Sequence, residues 1–488
     1  MENVACTWFN RLIALRIMEV NDWLPSNIRI LSSREPGRAE PDAMREVESL
    51  DYVSQPKIAE LRTDTDINAS EKLYKYILIS QCNALSALLP GMFQKEHDYT
   101  ELLLPDALLA GGGIVNELVT TIHENNFDVD KQGQIEIVGW LYQFYISEKK
   151  DEVFLGLKKN IKINKDTIAA ATQLFTPEWI VKYMVENSLG RLWLDTHPNV
   201  DLRSKWKYYV DEVEQEPEVA EQIRVLRSQS PVRRLEDIKL IDPCMGSGHI
   251  LVYAFDVLFQ IYQSEGYSER DIPNLILKNN LYGLDIDDRA GQLAYFALMI
   301  KARSYNRRFL QPENIPQPMV YAVPETKIDL IGIGLFLGAS MTESEKIASS
   351  EDLKYLVELF SKGKEYGSAM KIELEINYER LRKYIHDYSL GQMTFEHNEF
   401  VQHAEYLDHM IDVAAVLSRK YDVVVTNPPY MSASNMNSAL YDFTQKVYSN
   451  SKSDLFSVFI EKYLLLSKMQ GCISMITMRA LNRVVGLP

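Results

Sequence analysis

The chain has only four cysteines, at positions 6, 82, 244 and 472. They are too far apart for a disulfide framework and show no metal-ligand spacing, so they are expected to be reduced thiols and no metal site is predicted. No apolar run reaches transmembrane length, because Asn, Lys, Glu or Gln interrupts every candidate. The opening Met1-Glu2-Asn3-Val4 lacks the basic leader of a secretory signal, so a cytoplasmic location is expected and no membrane partner. Basic charge is also short: 52 Lys and Arg stand against 68 Asp and Glu, a net charge of −16. That balance argues against coating nucleic acid by bulk electrostatics, although a basic cleft can sit on an acidic body. A Walker loop, the full dinucleotide fingerprint and any repeat of solenoid period are absent as well.

What is present is an ordinary globular composition, 46% hydrophobic and 25% charged, in a 488-residue chain long enough for two or three domains. Residues 1–165 read as a helical N-terminal domain, with helical spacing in Trp8-Phe9-Leu12-Ile13-Leu15 and Leu73-Ile77-Leu78 and a break at Gly111-Gly112-Gly113. Trp140, Tyr142, Phe144 and Tyr145 cluster in one amphipathic segment. A stacking surface for nucleic acid is one reading of it, a helix-packing core the favoured one. From 166 to 337 strand and helix patterns alternate: Ile238-Leu240-Ile241, a helix from His249, Leu281-Tyr282-Gly283-Leu284, and a helix from Arg289. Such alternation predicts a doubly wound, mainly parallel α/β sheet. Charged helical segments over 338–419 read as an insertion, and the sheet resumes over 420–488 with Tyr421–Val425 and Cys472–Thr477.

Two loops carry the chemistry. The first is Asp242-Pro243-Cys244-Met245-Gly246-Ser247-Gly248, between a short apolar strand and an amphipathic helix. Gly246 and Gly248 allow a sharp turn and close approach of a ligand. Asp242, at the strand's end, can accept hydrogen bonds from a cationic amine, and the crevice beyond such strand ends is where doubly wound sheets bind ligands. The next strand ends Gly283-Leu284-Asp285-Ile286-Asp287, where an acid can bind both hydroxyls of a ribose. Asp285 is the first choice, while Asp287 and Asp288 could instead cap the following helix. With nothing arranged to hold a pyrophosphate, S-adenosylmethionine fits this layout better than a dinucleotide. The second loop, Thr426-Asn427-Pro428-Pro429-Tyr430, follows an all-apolar strand. The Asn427 side-chain carbonyl and the Pro428 backbone carbonyl can grip an exocyclic amine, Pro428 and Pro429 stiffen the loop, and Tyr430 offers a stacking face for an extruded base. On that reading Phe is tolerated at Tyr430 and Ala is not. Together the loops predict methyl transfer to the exocyclic amine of a nucleobase, with adenine in DNA as the expected target.

On these residues the chain resembles the γ-type amino-methyltransferases. Gln173-Leu174-Phe175-Thr176-Pro177 is similar to the motif that precedes the Gly loop there, and Thr176 also suits the cap of the helix beginning near Glu178. The resemblance implies that Phe175, Thr176 and Pro177 join Asp242, Pro243, Gly246, Ser247, Gly248 and Asp285 in holding S-adenosylmethionine. It also implies that Asn427, Pro428, Pro429 and Tyr430 are catalytic. Lys452-Ser453-Asp454-Leu455-Phe456 is similar to the segment that lines the adenine or target pocket. More narrowly, Trp8-Phe9-Asn10-Arg11-Leu12, Arg16-Ile17-Met18-Glu19-Val20-Asn21 and Gly139–Tyr145 resemble the PglX-type adenine-specific DNA methyltransferases of BREX phage-defence systems.

That resemblance implies N6-adenine methylation of host DNA, a flipped adenine in double-stranded DNA as substrate, and other BREX or defence proteins as partners. Members of that family are more than twice as long and continue into a target-recognition region. The chain is therefore expected to lack its C-terminal half, the last family-like strand being Cys472–Met478. Two alternatives stand beside this reading: a truncated, non-catalytic cofactor-binding fragment acting through protein contacts, and a methyltransferase for a protein glutamine or an RNA base.

Overall fold

A computed structural model describes residues 2–94, 104–131, 137–174, 176–229, 234–311, 315–328, 337–387 and 396–477. Two compact units emerge: residues 1–143 with 292–317, and residues 144–291 with 318–488.

The first unit is helical, with Glu2–Val20, Gln55–Thr63, Ala69–Leu85 and Ile114–Thr121 among its elements. Its core is organised around a buried polar knot, supplied by the residues that carry the narrower sequence resemblance. Arg16 is 1% exposed and donates to Glu19 Oε1 (2.6 Å) and Ser32 Oγ (2.8 Å). Glu19 Oε2 in turn accepts the backbone amides of Ile30 and Leu31. Asn21 bridges Ile17 O and Phe127 O with its amide nitrogen. A buried charge is tolerable only when paired and hydrogen-bonded, and the Arg16–Glu19 pair with its Ser32 and backbone partners meets that need. Gly91 is needed for a close approach, since a Cβ there would lie 2.8 Å from the Tyr295 ring.

In the second unit five parallel strands form one sheet in the order β3-β2-β1-β4-β5. They are β1 (Leu240–Asp242), β2 (Leu281–Asp285), β3 (Met319–Ala322), β4 (Tyr421–Thr426) and β5 (Ser467–Met475). This is the doubly wound α/β sheet that the alternating pattern predicts. β4 is buried at every residue, the signature of a central strand covered on both faces. β1 pairs with β2 on one side and with β4 on the other. The crevice between the ends of β1 and β4 is therefore the switch point where such sheets bind ligands.

Three differences from the sequence reading have physical causes. β3 is absent from that reading: it is four residues long, and Pro316, Pro318 and Pro324 around it read as loop. β5 begins at Ser467 rather than Cys472, because a bulge opposite Tyr421–Val423 admits its polar first half. Thr176 does not cap a helix; Pro177 occupies the N-cap of Glu178–Val185 and leaves the Thr176 hydroxyl for another partner. Of the aromatic segment, Tyr142 is buried, whereas Trp140 is 41% and Phe144 77% exposed, so a core-packing role fits Tyr142 alone. The side chain of Tyr145 lies outside the described residues.

Candidate active site

The Gly loop is held from two sides. Gly246 turns with φ +53° and Gly248 with φ +84°, values that favour glycine, and Gly248 starts the helix His249–Ser264. Beneath the loop, Gly283 of β2 leaves room for Met245; a Cβ on Gly283 would lie 2.4 Å from its sulfur. Met245 N also donates to Leu284 O at 3.0 Å. The loop is thus laid flat on β2, and it points an amide at the acid ending that strand: Gly246 N donates to Asp285 Oδ2 at 2.9 Å.

Asp285 accepts a second backbone bond at Oδ1 from Asp287 N, 2.9 Å. Each of its oxygens keeps a lone pair, and the residue lines a cavity. Burial pushes its pKa up to about 6; the Asp287 charge adds to the rise, while the Asp287 and Gly246 amides and Lys364 oppose it. The neighbouring acids are committed elsewhere. Asp287 forms a two-point pair with Arg289 (2.9 Å each) and accepts the Arg289 amide, and Asp288 pairs with Lys364 at 2.7 Å.

Asp242 is wholly buried, and it is not among the residues lining the cavity. Its Oδ1 accepts from Cys244 N at 3.1 Å, bracing the Gly loop from below. The Thr426 hydroxyl is close enough to favour the carboxylate but falls outside hydrogen-bond geometry, and Oδ2 has no donor among the described residues. Burial, with a smaller push from Asp285, lifts the pKa of Asp242 to about 7.

At the end of β4 the target loop closes on itself. Tyr430 OH lies 3.0 Å from Asn427 Oδ1 and 2.9 Å from Ile476 O, so its single proton is shared between the two acceptors. Asn427 Nδ2 donates to Thr176 Oγ1 at 3.2 Å and more weakly to Leu174 O at 3.4 Å. The motif ahead of the Gly loop therefore touches the target loop directly. Pro428 is buried, Pro429 half-buried, and the Tyr430 ring tilts toward Phe456 at 6.1 Å. Asp454 caps the helix Leu455–Leu466 and accepts from Phe456 N.

One cavity gathers both loops and encloses about 770 Å³ including its open mouth. Of the sequence-predicted residues, Pro243, Gly246, Asp285, Asn427 and Pro429 line it. Thr176 and Tyr430 reach it through Asn427, whereas Ser247, Gly248, Pro177 and Pro428 do not line it, and Phe175 lies outside the described residues. The sequence reading missed a contribution from the insertion, Glu365-Tyr366-Gly367-Ser368. Ser368 Oγ donates to Pro243 O at 2.6 Å, and Lys364 Nζ donates to Ile286 O at 2.8 Å. Tyr366 stacks on Phe443 with centroids 4.0 Å apart, and Glu365 accepts from Asn437 at 2.7 Å. This short hook is tied to the Gly loop, to the acid loop and to the segment after the target loop. Its one sequence signal is Gly367, which adopts φ +51°.

Among the described residues no helix is long and apolar enough to cross a membrane. A family model described as Eco57I restriction-modification methylase matches residues 279–484, a span that includes β2 to β5. The chain is 42% identical to the adenine-specific methyltransferase PglX of Lacticaseibacillus casei (strain Zhang), over 98% of this chain and 39% of that protein. It is 38% identical to the adenine-specific methyltransferase BrxX of Escherichia coli O9:H4 (strain HS), over 98% and 40%. Among solved structures, a DrdV–DNA complex matches with a TM-score of 0.31 at 11% identity, covering 96% of this chain and 36% of that one, too distant to carry an argument. Through nearly all of its residues the chain is similar to PglX and BrxX, and it spans about two fifths of the length of those relatives.

Proposed function

We propose that this chain is the cofactor-binding and base-binding part of an adenine-specific DNA methyltransferase, acting within a BREX-type or restriction-modification system. The observation that carries the proposal is the shared cavity. Asp285 and Gly246 line one part of it and Asn427 and Pro429 another, so a methyl donor and an acceptor base can meet there.

The residues suit S-adenosylmethionine. A Cβ on Gly246 would meet nothing within 4 Å, which leaves open space above the loop, and Asp285 retains acceptor capacity for the two ribose hydroxyls. The cofactor supplies a methyl carbon on a sulfonium, a donor already activated for transfer. On the protein side, Asn427 Oδ1 and the Pro428 carbonyl accept the two N6 hydrogens of an extruded adenine. That orients the nitrogen lone pair and raises its nucleophilicity. Thr176 and Tyr430 fix the Asn427 amide before the base arrives, so little ordering is left to the moment of reaction. The Tyr430 ring gives the base a face to stack on, offsetting part of the unstacking cost of a few kcal/mol.

Thermal melting with and without S-adenosylmethionine tests the reading. At a ligand concentration 100 times Kd, stabilisation of about 2.7 kcal/mol is expected. Asp285→Ala should lose most of it, and an unchanged melting temperature in the wild-type chain at millimolar ligand would reject the cofactor assignment.

A further inference from the structure

Against a net charge of −16, the chain carries Lys158, Lys159, Lys162 and Lys165 with no acid between Val153 and Lys165. All four lysines are exposed. Such a run at an arbitrary place is a solvated face; here its position sets it apart. Ile163 forms a parallel bridge with Met436, Ile163 N donates to Asn435 O at 3.1 Å, and Lys162 Nζ donates to Ser434 O. The lysine segment is thereby fastened to the loop that follows Asn427–Tyr430. At the other end of the same loop, Ala433 N donates to Ser453 O at 3.0 Å and Ser432 bridges to Asp454, which brings exposed Lys452 beside it. Residues 432–436 are thus flanked by two lysine-bearing segments. Glu325 neutralises Lys165 at 2.6 Å, whereas Lys158, Lys159 and Lys452 form no ion pair with a described residue.

We infer that Lys158, Lys159, Lys162 and Lys452 form a rim that grips backbone phosphates on either side of the base offered to Asn427. The inference rests on the nucleobase-methyltransferase reading of the adjoining cavity. Ammonium groups on flexible stems bind phosphate as point charges, without reading sequence, which suits a contact that positions the strand. An acidic body repels DNA at long range, so a local rim is what could hold the backbone close to the loop, within the roughly 8–10 Å that charges reach at physiological salt.

The test is fluorescence anisotropy of a duplex bearing a mismatched adenine, titrated with the chain over a salt series. Lys158→Glu/Lys159→Glu/Lys162→Glu should weaken binding at low salt at least tenfold. It should also flatten the dependence of log K on log salt by about 0.9 for each phosphate no longer neutralised. Lys452→Glu should give a smaller change in the same direction. A control triple, Lys205→Glu/Lys278→Glu/Lys354→Glu, alters net charge equally at exposed sites elsewhere. The rim is refuted if the two triples weaken binding alike, or if the wild-type chain binds no duplex at low salt. Calorimetry with S-adenosylmethionine on the same proteins separates the two ideas. Retained cofactor binding beside equal triples removes the rim alone, whereas absent cofactor binding in the wild-type chain removes the reading beneath it.

Discussion

The two sides of the cavity are made of different chemistry. Where the cofactor is proposed to lie, the buried carboxylate Asp285 lines the cavity and Asp242 lies behind the Gly loop outside the lining; their pKa values are raised to about 6 and about 7, and backbone amides brace both. Around Asn427 the partners of the side chain are neutral: the Thr176 and Tyr430 hydroxyls and the Leu174 carbonyl. A cationic ligand gains from ionisable groups that burial keeps under-neutralised, because its arrival favours their charged form. A neutral amine brings no charge for such groups to neutralise and needs acceptors already fixed in place. The contrast matches a sulfonium donor on one side and an uncharged base on the other.

The contrast breaks most visibly if the neutral side loses its acceptor. Asn427→Ala should lower methyl transfer to adenine, followed with labelled S-adenosylmethionine, by about 10²–10³-fold, comparable to removing one group that stabilises a transition state. Cofactor affinity should stay within a factor of two or so, roughly 0.4 kcal/mol. Loss of cofactor binding in this variant would mean that the two sides are not separable.

The charged side is sharpened by pH. Asp242 and Asp285 lose their charge as pH falls through about 7 and about 6, so affinity for S-adenosylmethionine should fall from pH 8 to pH 5. For one obligatory ionisation the limiting slope is about tenfold per pH unit. Stability of the ligand-free chain runs the other way. Both acids titrate higher folded than unfolded, so the folded state binds more protons between about pH 4 and 7 and the melting temperature should decline as pH rises through that window. Asp285→Asn should flatten the lower part of the affinity curve. A curve that keeps its shape in that variant would assign the dependence to Asp242 or elsewhere.

Tyr430 is expected to matter less than Asn427. Its hydroxyl is shared between Asn427 Oδ1 and the Ile476 carbonyl, a tether that Phe lacks, so Phe is expected to be tolerated at a modest cost. Tyr430→Phe should cost about 1 kcal/mol in transfer, roughly fivefold, while Tyr430→Ala, which also removes the stacking face, should cost about 10–100-fold. Equal effects of Phe and Ala would place all of the residue's worth in the hydroxyl.

The loops were legible in the sequence because each is local: a strand, a turn that needs glycine or proline, and a polar residue at a fixed offset. Asp285 could be preferred over Asp287 only weakly at that level. The Arg289 side chain that occupies Asp287, two residues on, is a tertiary choice of rotamer rather than a pattern. Thr176 was legible as polar at a helix start, but its partner lies 251 residues away. The hook at Lys364–Ser368 was barely legible, Gly367 being its one local sign. It sits in a charged helical insertion, and its bonds to Pro243 and Ile286 span 125 and 78 residues. Nothing in the spacing of Glu365-Tyr366-Gly367-Ser368 announces them.

An effect no larger than that of Tyr430→Phe probes that hook. Ser368 is buried and donates to the Pro243 carbonyl, whose residue opens the Gly loop. Removing the hydroxyl leaves a carbonyl partly unsatisfied near a loop already held by Met245, Gly246 and Cys244 amides. The net cost of one neutral hydrogen bond is about 1 kcal/mol, so Ser368→Ala should weaken cofactor binding about fivefold by calorimetry. Transfer at saturating cofactor should change less, because Asn427 and its partners are untouched. A merely structural role would lower the melting temperature of the ligand-free chain and leave cofactor affinity alone. A loss of affinity without that shift, restored by Ser368→Thr, would assign the insertion to the charged side of the site.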